Sequence, residues 1–151
     1  MSNNKKPFLV KRHKKLSVEE PEINENTNIN RDATLDITGK LTVCEGVVIG
    51  KEALVLTHQH AYHLSKKPIR KNKLITRIEL IIGKDVFIGE RAIILPQVTF
   101  IPKGCFVAAG SVLTKNSTGE YEIWAGNPAR KIGVRGETKT EFKEMKEETN
   151  K

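Results

Sequence analysis

Three of the four histidines crowd into the run Thr57-His58-Gln59-His60-Ala61-Tyr62-His63. Near pH 7 a neutral imidazole is well matched to remove the proton of a hydroxyl as its oxygen attacks, which makes His60 and His58 candidate general bases. Imidazoles of His58, His60 and His63 facing a common point could instead ligate a zinc ion. A covalent nucleophile has no comparable signature. The chain contains no Gly-x-Ser-x-Gly elbow, and Cys44 and Cys105 both belong to a repeat that runs through the flanking sequence.

That repeat is what must position the histidines. An aliphatic residue returns every sixth position at Ile37, Val43, Ile49 and Val55, then at Ile82, Ile88 and Ile94, and, after one extra residue, at Ile101, Val107 and Leu113. Four residues after most of these stands a second small or apolar residue: Leu41, Val47, Ala53, Val86, Ala92, Val98, Cys105 or Ser111. In an α-helix a step of six turns the side chain by about 600°, so successive aliphatics would bury nothing together. In extended chain, positions i, i+4 and i+6 share one side, yet a strand this long exceeds the usual ~3–10 residues. Short strands must therefore bend where Gly, Asp, Lys or Asn follow the aliphatic, as in Ile49-Gly50-Lys51-Glu52. Strands bent at a fixed period and stacked on one another make a parallel β-helix. The six-residue ruler predicts about four coils, interrupted by one long loop at residues 58–79 with the histidines at its mouth.

Four blocks in one order carry a resemblance: Ile82-Gly83-Lys84-Asp85-Val86-Phe87-Ile88-Gly89, Ala92-Ile93-Ile94-Leu95-Pro96, Ala109-Gly110-Ser111-Val112-Leu113-Thr114-Lys115 and Ala125-Gly126-Asn127-Pro128-Ala129-Arg130. Over residues 37–133 the chain resembles the hexapeptide-repeat O-acetyltransferases of the maltose, galactoside and surface-polysaccharide kind. The resemblance implies an all-β, left-handed parallel β-helix with three strands per coil; periodicity does not set that hand. It also implies a homotrimer with sites between neighbouring subunits, acetyl-CoA as acyl donor, a saccharide or sugar-like hydroxyl as acceptor, and no metal. The family's catalytic histidine follows the last hexad before the loop; aligning Val55-Leu56-Thr57 puts it at His60, with His58 in the alternate place. The amide of Glu90 corresponds to the donor that polarises the thioester carbonyl, although a glutamate is larger than the residue common there. Ala109 and Gly110 correspond to the small residues lying against the pantetheine arm, and Thr114, Lys115 and Arg130 to residues near the nucleotide phosphates. Two other functions keep the same scaffold: a non-catalytic β-helix binding protein, and a zinc enzyme like the gamma-class carbonic anhydrases.

Composition sets the remaining bounds. One domain suits 151 residues, and 5% aromatics suit a narrow prism filled by aliphatics. No apolar run approaches the ~18 residues of a membrane span, and two cysteines make no disulfide framework, which predicts a cytoplasmic protein. The net charge is +8, with six cations in the first fifteen residues and six more from Lys66 to Arg77. Such segments attract polyanions, but without interleaved aromatics or a recognisable module they do not suggest a nucleic-acid binder. Residues 1–22 read as a basic flexible arm, 23–133 as the β-helix, and 134–151 as a tail or short helix from Thr138, where Thr138 and Glu141 have capping-box spacing. Residues 117–136 are expected to leave the stack, with Trp124 covering its open end.

Overall fold

A computed structural model describes residues 8–10 and 19–136. It is a parallel β-helix of four coils. The first face stacks Thr34–Asp36, Leu54–Val55, Ile93–Ile94 and Val112–Leu113; the second stacks Glu22–Ile23, Lys40–Val43, Glu79–Ile82 and Phe100–Ile101. The third stacks Asn28–Ile29, Val48–Ile49, Phe87–Ile88, Phe106–Val107 and Glu122–Gly126. All these pairings are parallel, so each guide aliphatic sits on its counterpart one coil away: Leu35 on Val55, Val43 on Ile82, Ile49 on Ile88, Ile88 on Val107 and Ile94 on Leu113. The expected second inward residues, from Leu41 to Ser111, are each at most 1% exposed. Filling one narrow interior with stacked Ile, Val and Leu stabilises the coils by about 1.5–3 kcal/mol per large side chain.

Corners close by a repeated device. Gly46, Asp85, Gly104 and Tyr121 form one column of left-handed residues, and Glu52, Arg91 and Gly110 form another. Each column is tied from coil to coil through amides such as Asp85 N–H to Glu45 O (3.0 Å) and Arg91 N–H to Lys51 O (2.9 Å).

The observed stack differs from the expected one at Ile37 and at residues 122–126, and has the extra residue before Ile101 where the ruler put it. Ile37 is not a guide residue: the stacked residue is Leu35, eight positions before Val43, and the corner between them holds two extra residues. The extra residue before Ile101 widens the corner at Thr99, where the Asn116 carboxamide oxygen accepts the amides of Thr99 (2.8 Å) and Phe100 (3.3 Å). Residues 122–126 do not leave the stack. Ile123 and Trp124 pair in parallel with Phe106 and Val107, and Trp124, 3% exposed, fills the guide position of the final rung. The chain then turns through a cis Asn127-Pro128 bond into the antiparallel strand Ala129–Val134. Within the segment read as an arm, Phe8–Val10 lies parallel to Thr34–Asp36 and places Leu9 against the core. The helix expected from Thr138 lies outside the described residues.

Glu122 anchors the closing rung. Its carboxylate accepts the Trp124 indole N–H (3.0 Å) and the amide (2.9 Å) and hydroxyl (2.7 Å) of Thr118, with Lys131 Nζ at 3.0 Å. Burial alone would raise its pKa, but these donors outweigh burial and lower it from 4.5 to about 2. A depressed folded-state pKa gives stability that is fully present above the unfolded value and is lost as pH falls through the folded one. The melting temperature should therefore fall from pH 4.5 towards 2 more steeply in the native chain than in Glu122→Gln. Parallel pH profiles of the two melts would refute this anchoring role.

Candidate functional site

The corner with two extra residues is where the histidine segment begins. Strand Thr34–Asp36 ends in a carboxylate with no solvent exposure, directly below the end of strand Leu54–Val55 in the next coil. Asp36 Oδ1 accepts the Thr38 amide (3.0 Å), while Oδ2 accepts the Thr57 amide (3.0 Å) and lies 2.5 Å from Nδ1 of His58. The Thr57 hydroxyl donates to the Asp36 carbonyl (2.8 Å) and accepts the Gly39 amide (2.9 Å), locking the two coils together at this point. Burial opposes ionisation of Asp36, but hydrogen bonds from Thr38, His58 and Thr57 outweigh it and hold the carboxyl below its ordinary pKa. An ionised, buried carboxylate on Nδ1 fixes the ring orientation and tautomer, leaves proton exchange to Nε2, and stabilises the imidazolium that forms when the ring takes a proton.

The long loop is a hairpin. His58–His60 pairs antiparallel with Ile75–Arg77, in the register His58 to Arg77, Gln59 to Thr76 and His60 to Ile75. Gln97 Nε2 donates to Gln59 Oε1 (3.1 Å), bracing the strand against the coil above. His58 is buried at the base of this ribbon; His60, one alternate step outward, is exposed, and His63 is exposed in the 3-10 turn Tyr62–Leu64. Among the described residues no group of three or more His, Cys, Asp or Glu side chains is arranged to hold a metal ion.

The residues expected near the donor collect elsewhere. Glu90 and Ala109 occupy equivalent places in successive coils on the glycine-rich corner that precedes the first face, where the Gly110 amide donates to Glu90 O (2.8 Å). Gly89 is required there, since a Cβ on it would meet the Ala109 nitrogen at 2.5 Å. The Gly126 amide donates to Ser111 Oγ (3.1 Å), so the turn leading into Arg130 lies over the same corner. Arg130 is exposed, with Nη1 on the Ala129 carbonyl (3.0 Å). Thr114 and Lys115 follow the other end of the first face, and the Lys115 ammonium lies 5.8 Å from the centre of the Trp124 ring. In one chain, then, Glu90, Ala109, Gly110 and Arg130 share one edge of the first face, and Asp36 and His58 stand at the opposite edge. The five steps from Gly110 to Lys115 span roughly 15 Å of extended chain.

Asp36 is the residue that the histidine spacing did not reveal. Its available signal was an acidic residue immediately after an aliphatic, one coil below the histidine cluster; the six-residue ruler hid it by placing the guide at Ile37.

Neither a protein-family model nor a curated protein sequence matches the chain. Solved structures do. A hexapeptide-repeat acetyltransferase from Vibrio cholerae is similar at 25% identity and TM-score 0.69, over 78% of this chain and 64% of that one. A galactoside acetyltransferase in complex with coenzyme A is similar at 24% identity and TM-score 0.61, over 79% of this chain and 61% of that one. An N-acyltransferase from Bacillus cereus, in complex with a dTDP-amino sugar and coenzyme A, shares the fold at 20% identity and TM-score 0.57, over 86% of this chain and 80% of that one. The chain thus spans somewhat under two thirds of the first two. Among its described residues no helix is long and apolar enough to cross a membrane.

Proposed function

We propose that this chain is an acetyl-CoA-dependent O-acetyltransferase that moves an acetyl group to a hydroxyl of a saccharide or sugar-like acceptor, with histidine as general base. The observation that carries the proposal is the buried carboxylate of Asp36 on Nδ1 of His58. An imidazole held in this way can accept the acceptor's hydroxyl proton at Nε2 while the oxygen attacks the thioester carbonyl; the tetrahedral adduct then collapses with cleavage of the carbon–sulfur bond, and the imidazolium gives its proton to the departing CoA thiolate. The resemblance of the sequence favours His60 as this base; the buried carboxylate favours His58, and we take His58. The amide of Glu90 would stabilise the charge developing on the carbonyl oxygen. Ala109 and Gly110 would let the pantetheine arm lie close, and Thr114, Lys115 and Arg130 would face the phosphates. The likeness to acetyltransferase structures supports this chemistry.

The separation of the donor corner from the dyad across the first face supports a site shared between copies, in keeping with the homotrimer that the resemblance implies. Free Cys44 and Cys105 suit a cytoplasmic location. Sedimentation is expected to report three chains. Acetyl-CoA should raise the melting temperature, and the rise, taken against each protein's own ligand-free melt, should shrink in Lys115→Ala and Arg130→Ala and at high salt. No shift at millimolar acetyl-CoA would sink the donor assignment and leave the β-helix as a non-catalytic scaffold.

A further inference from the structure

The strand that returns the chain to the prism sets an arginine beside the base. In the antiparallel register of His58–His60 with Ile75–Arg77, Arg77 stands directly opposite His58. Residues paired in this way project to the same side of a ribbon, with Cβ atoms about 4.5–5.5 Å apart. That side faces the lower coil: Gln59, on the other side, bonds Gln97 in the coil above, whereas His58 meets Asp36 in the coil below. Beneath the ribbon, a cavity of about 500 Å³ separates Arg77 from the corner Thr38-Gly39-Lys40. It adjoins the dyad, since the Thr38 amide donates to Asp36 Oδ1 and the Gly39 amide to the Thr57 hydroxyl. Lys40 in its wall is balanced by the carboxylates of Glu79 (3.1 Å) and Glu19 (3.8 Å).

The geometry points to Arg77 as an acceptor-binding residue and to an anionic saccharide as the acceptor: its carboxylate or phosphate pairs with the guanidinium in this cavity while the hydroxyl to be acetylated lies at Nε2 of His58. The inference rests on the acyl-transfer reading with His58 as base. A guanidinium presents a planar fork of donors matched to two oxygens of a carboxylate or phosphate, and it stays charged wherever an imidazole titrates. The same segment adds Lys66, Lys67, Arg70, Lys71 and Lys73, with no carboxylate among residues 66–77, so the field at this corner draws anions. A neutral sugar would gain nothing from that field. Arg77 belongs to the histidine corner itself: it precedes Ile78, whose amide donates to Thr57 O (2.9 Å) at the neck of the hairpin. In a site shared between copies it therefore stands on the acceptor side, facing the donor corner that the neighbour brings.

The test is acetylation kinetics of the full chain with acetyl-CoA and three probes: glucuronic acid, glucose 1-phosphate and glucose. One of the anionic sugars is expected to be used with a kcat/KM about tenfold or more above that of glucose, and which one it is tells a carboxylate acceptor from a phosphate one. Arg77→Gln should raise KM for that sugar by about ten- to a hundredfold, the range of a charge-assisted hydrogen bond, with kcat, KM for acetyl-CoA and the melting temperature nearly unchanged. Arg77→Lys, which keeps the charge without the fork, should fall between the two. Four outcomes would overturn the inference: glucose used as well as either anionic sugar; none of the three used or bound; an anionic sugar used equally by the native chain and Arg77→Gln; or a rise in KM for acetyl-CoA instead, which puts the guanidinium on the donor's phosphates. The acyl-transfer reading fails separately, through the absence of an acetyl-CoA-induced rise in melting temperature. Isothermal titration of the same sugars into donor-free protein, native and Arg77→Gln, reads the Arg77 contact independently of that result.

Discussion

Replacing His58 by Ala is expected to lower turnover by about 10²–10⁴-fold and to leave the acetyl-CoA-induced rise in melting temperature intact, because the imidazole acts on the acceptor's proton and not on the donor. His60→Ala should cost only a few-fold, since His60 lies exposed on the ribbon and Asp36 Oδ2 lies on His58. Asp36→Asn provides a second reading of the same geometry. An amide keeps the shape but loses the charge that stabilises the imidazolium, so kcat should drop while KM for acetyl-CoA holds. That carboxyl is held below the ordinary range by hydrogen bonds that outweigh its burial, so it remains ionised throughout the pH range in which an imidazole base works. Steady-state kinetics of the three variants decide the matter. Full activity in His58→Ala with loss in His60→Ala would return the base to His60. Equal large losses in both, with inactivation by chelator and recovery on adding zinc, would replace acyl transfer by metal chemistry.

The sequence discloses the fold where one physical constraint repeats. A prism interior accepts an aliphatic at each sixth residue whatever lies on the outside, so Val43, Ile49, Val55 and the run from Ile82 to Leu113 could be placed without knowing any contact. It conceals the fold where the constraint is broken. The step of eight from Leu35 to Val43 is invisible to a ruler of six because Ile37 happens to keep the spacing, and Asp36 was lost along with it. Trp124 could be assigned to the open end but not to a parallel rung, since the turn before it carries no hexad. The histidine cluster was conspicuous, whereas the choice between His58 and His60 depended on a carboxylate 22 residues away in the chain. Repeats reveal the scaffold; a site built on a departure from the repeat has to be seen in space.

That departure also makes one glycine indispensable. Gly39 stands at the neck of the hairpin, where the chain leaves through Thr57 and returns through Ile78: the Ile78 amide donates to Thr57 O (2.9 Å) and the Lys40 amide to Ile78 O (3.0 Å). A Cβ on Gly39 would meet Thr57 O at 2.5 Å and Ile78 O more closely still, and both are backbone atoms already engaged in these bonds, so neither can rotate away. Gly39→Ala should therefore spread the neck, at a cost of about 1–3 kcal/mol, or roughly 3–10 °C in melting temperature for a chain of this size. Because the Gly39 amide also holds the Thr57 hydroxyl (2.9 Å), the displacement carries Thr57 and His58 away from Asp36. Turnover should fall well below the melting temperature as well as above it. Gly136→Ala provides the contrast: its φ of +90° imposes only the left-handed penalty of about 1–2 kcal/mol, and no atom lies within 4 Å of the added carbon. Thermal melts and initial rates for both variants separate the two effects. A Gly39→Ala protein that melts and turns over like the native chain would show that the neck yields freely, and the account of how the corner positions His58 would fail with it.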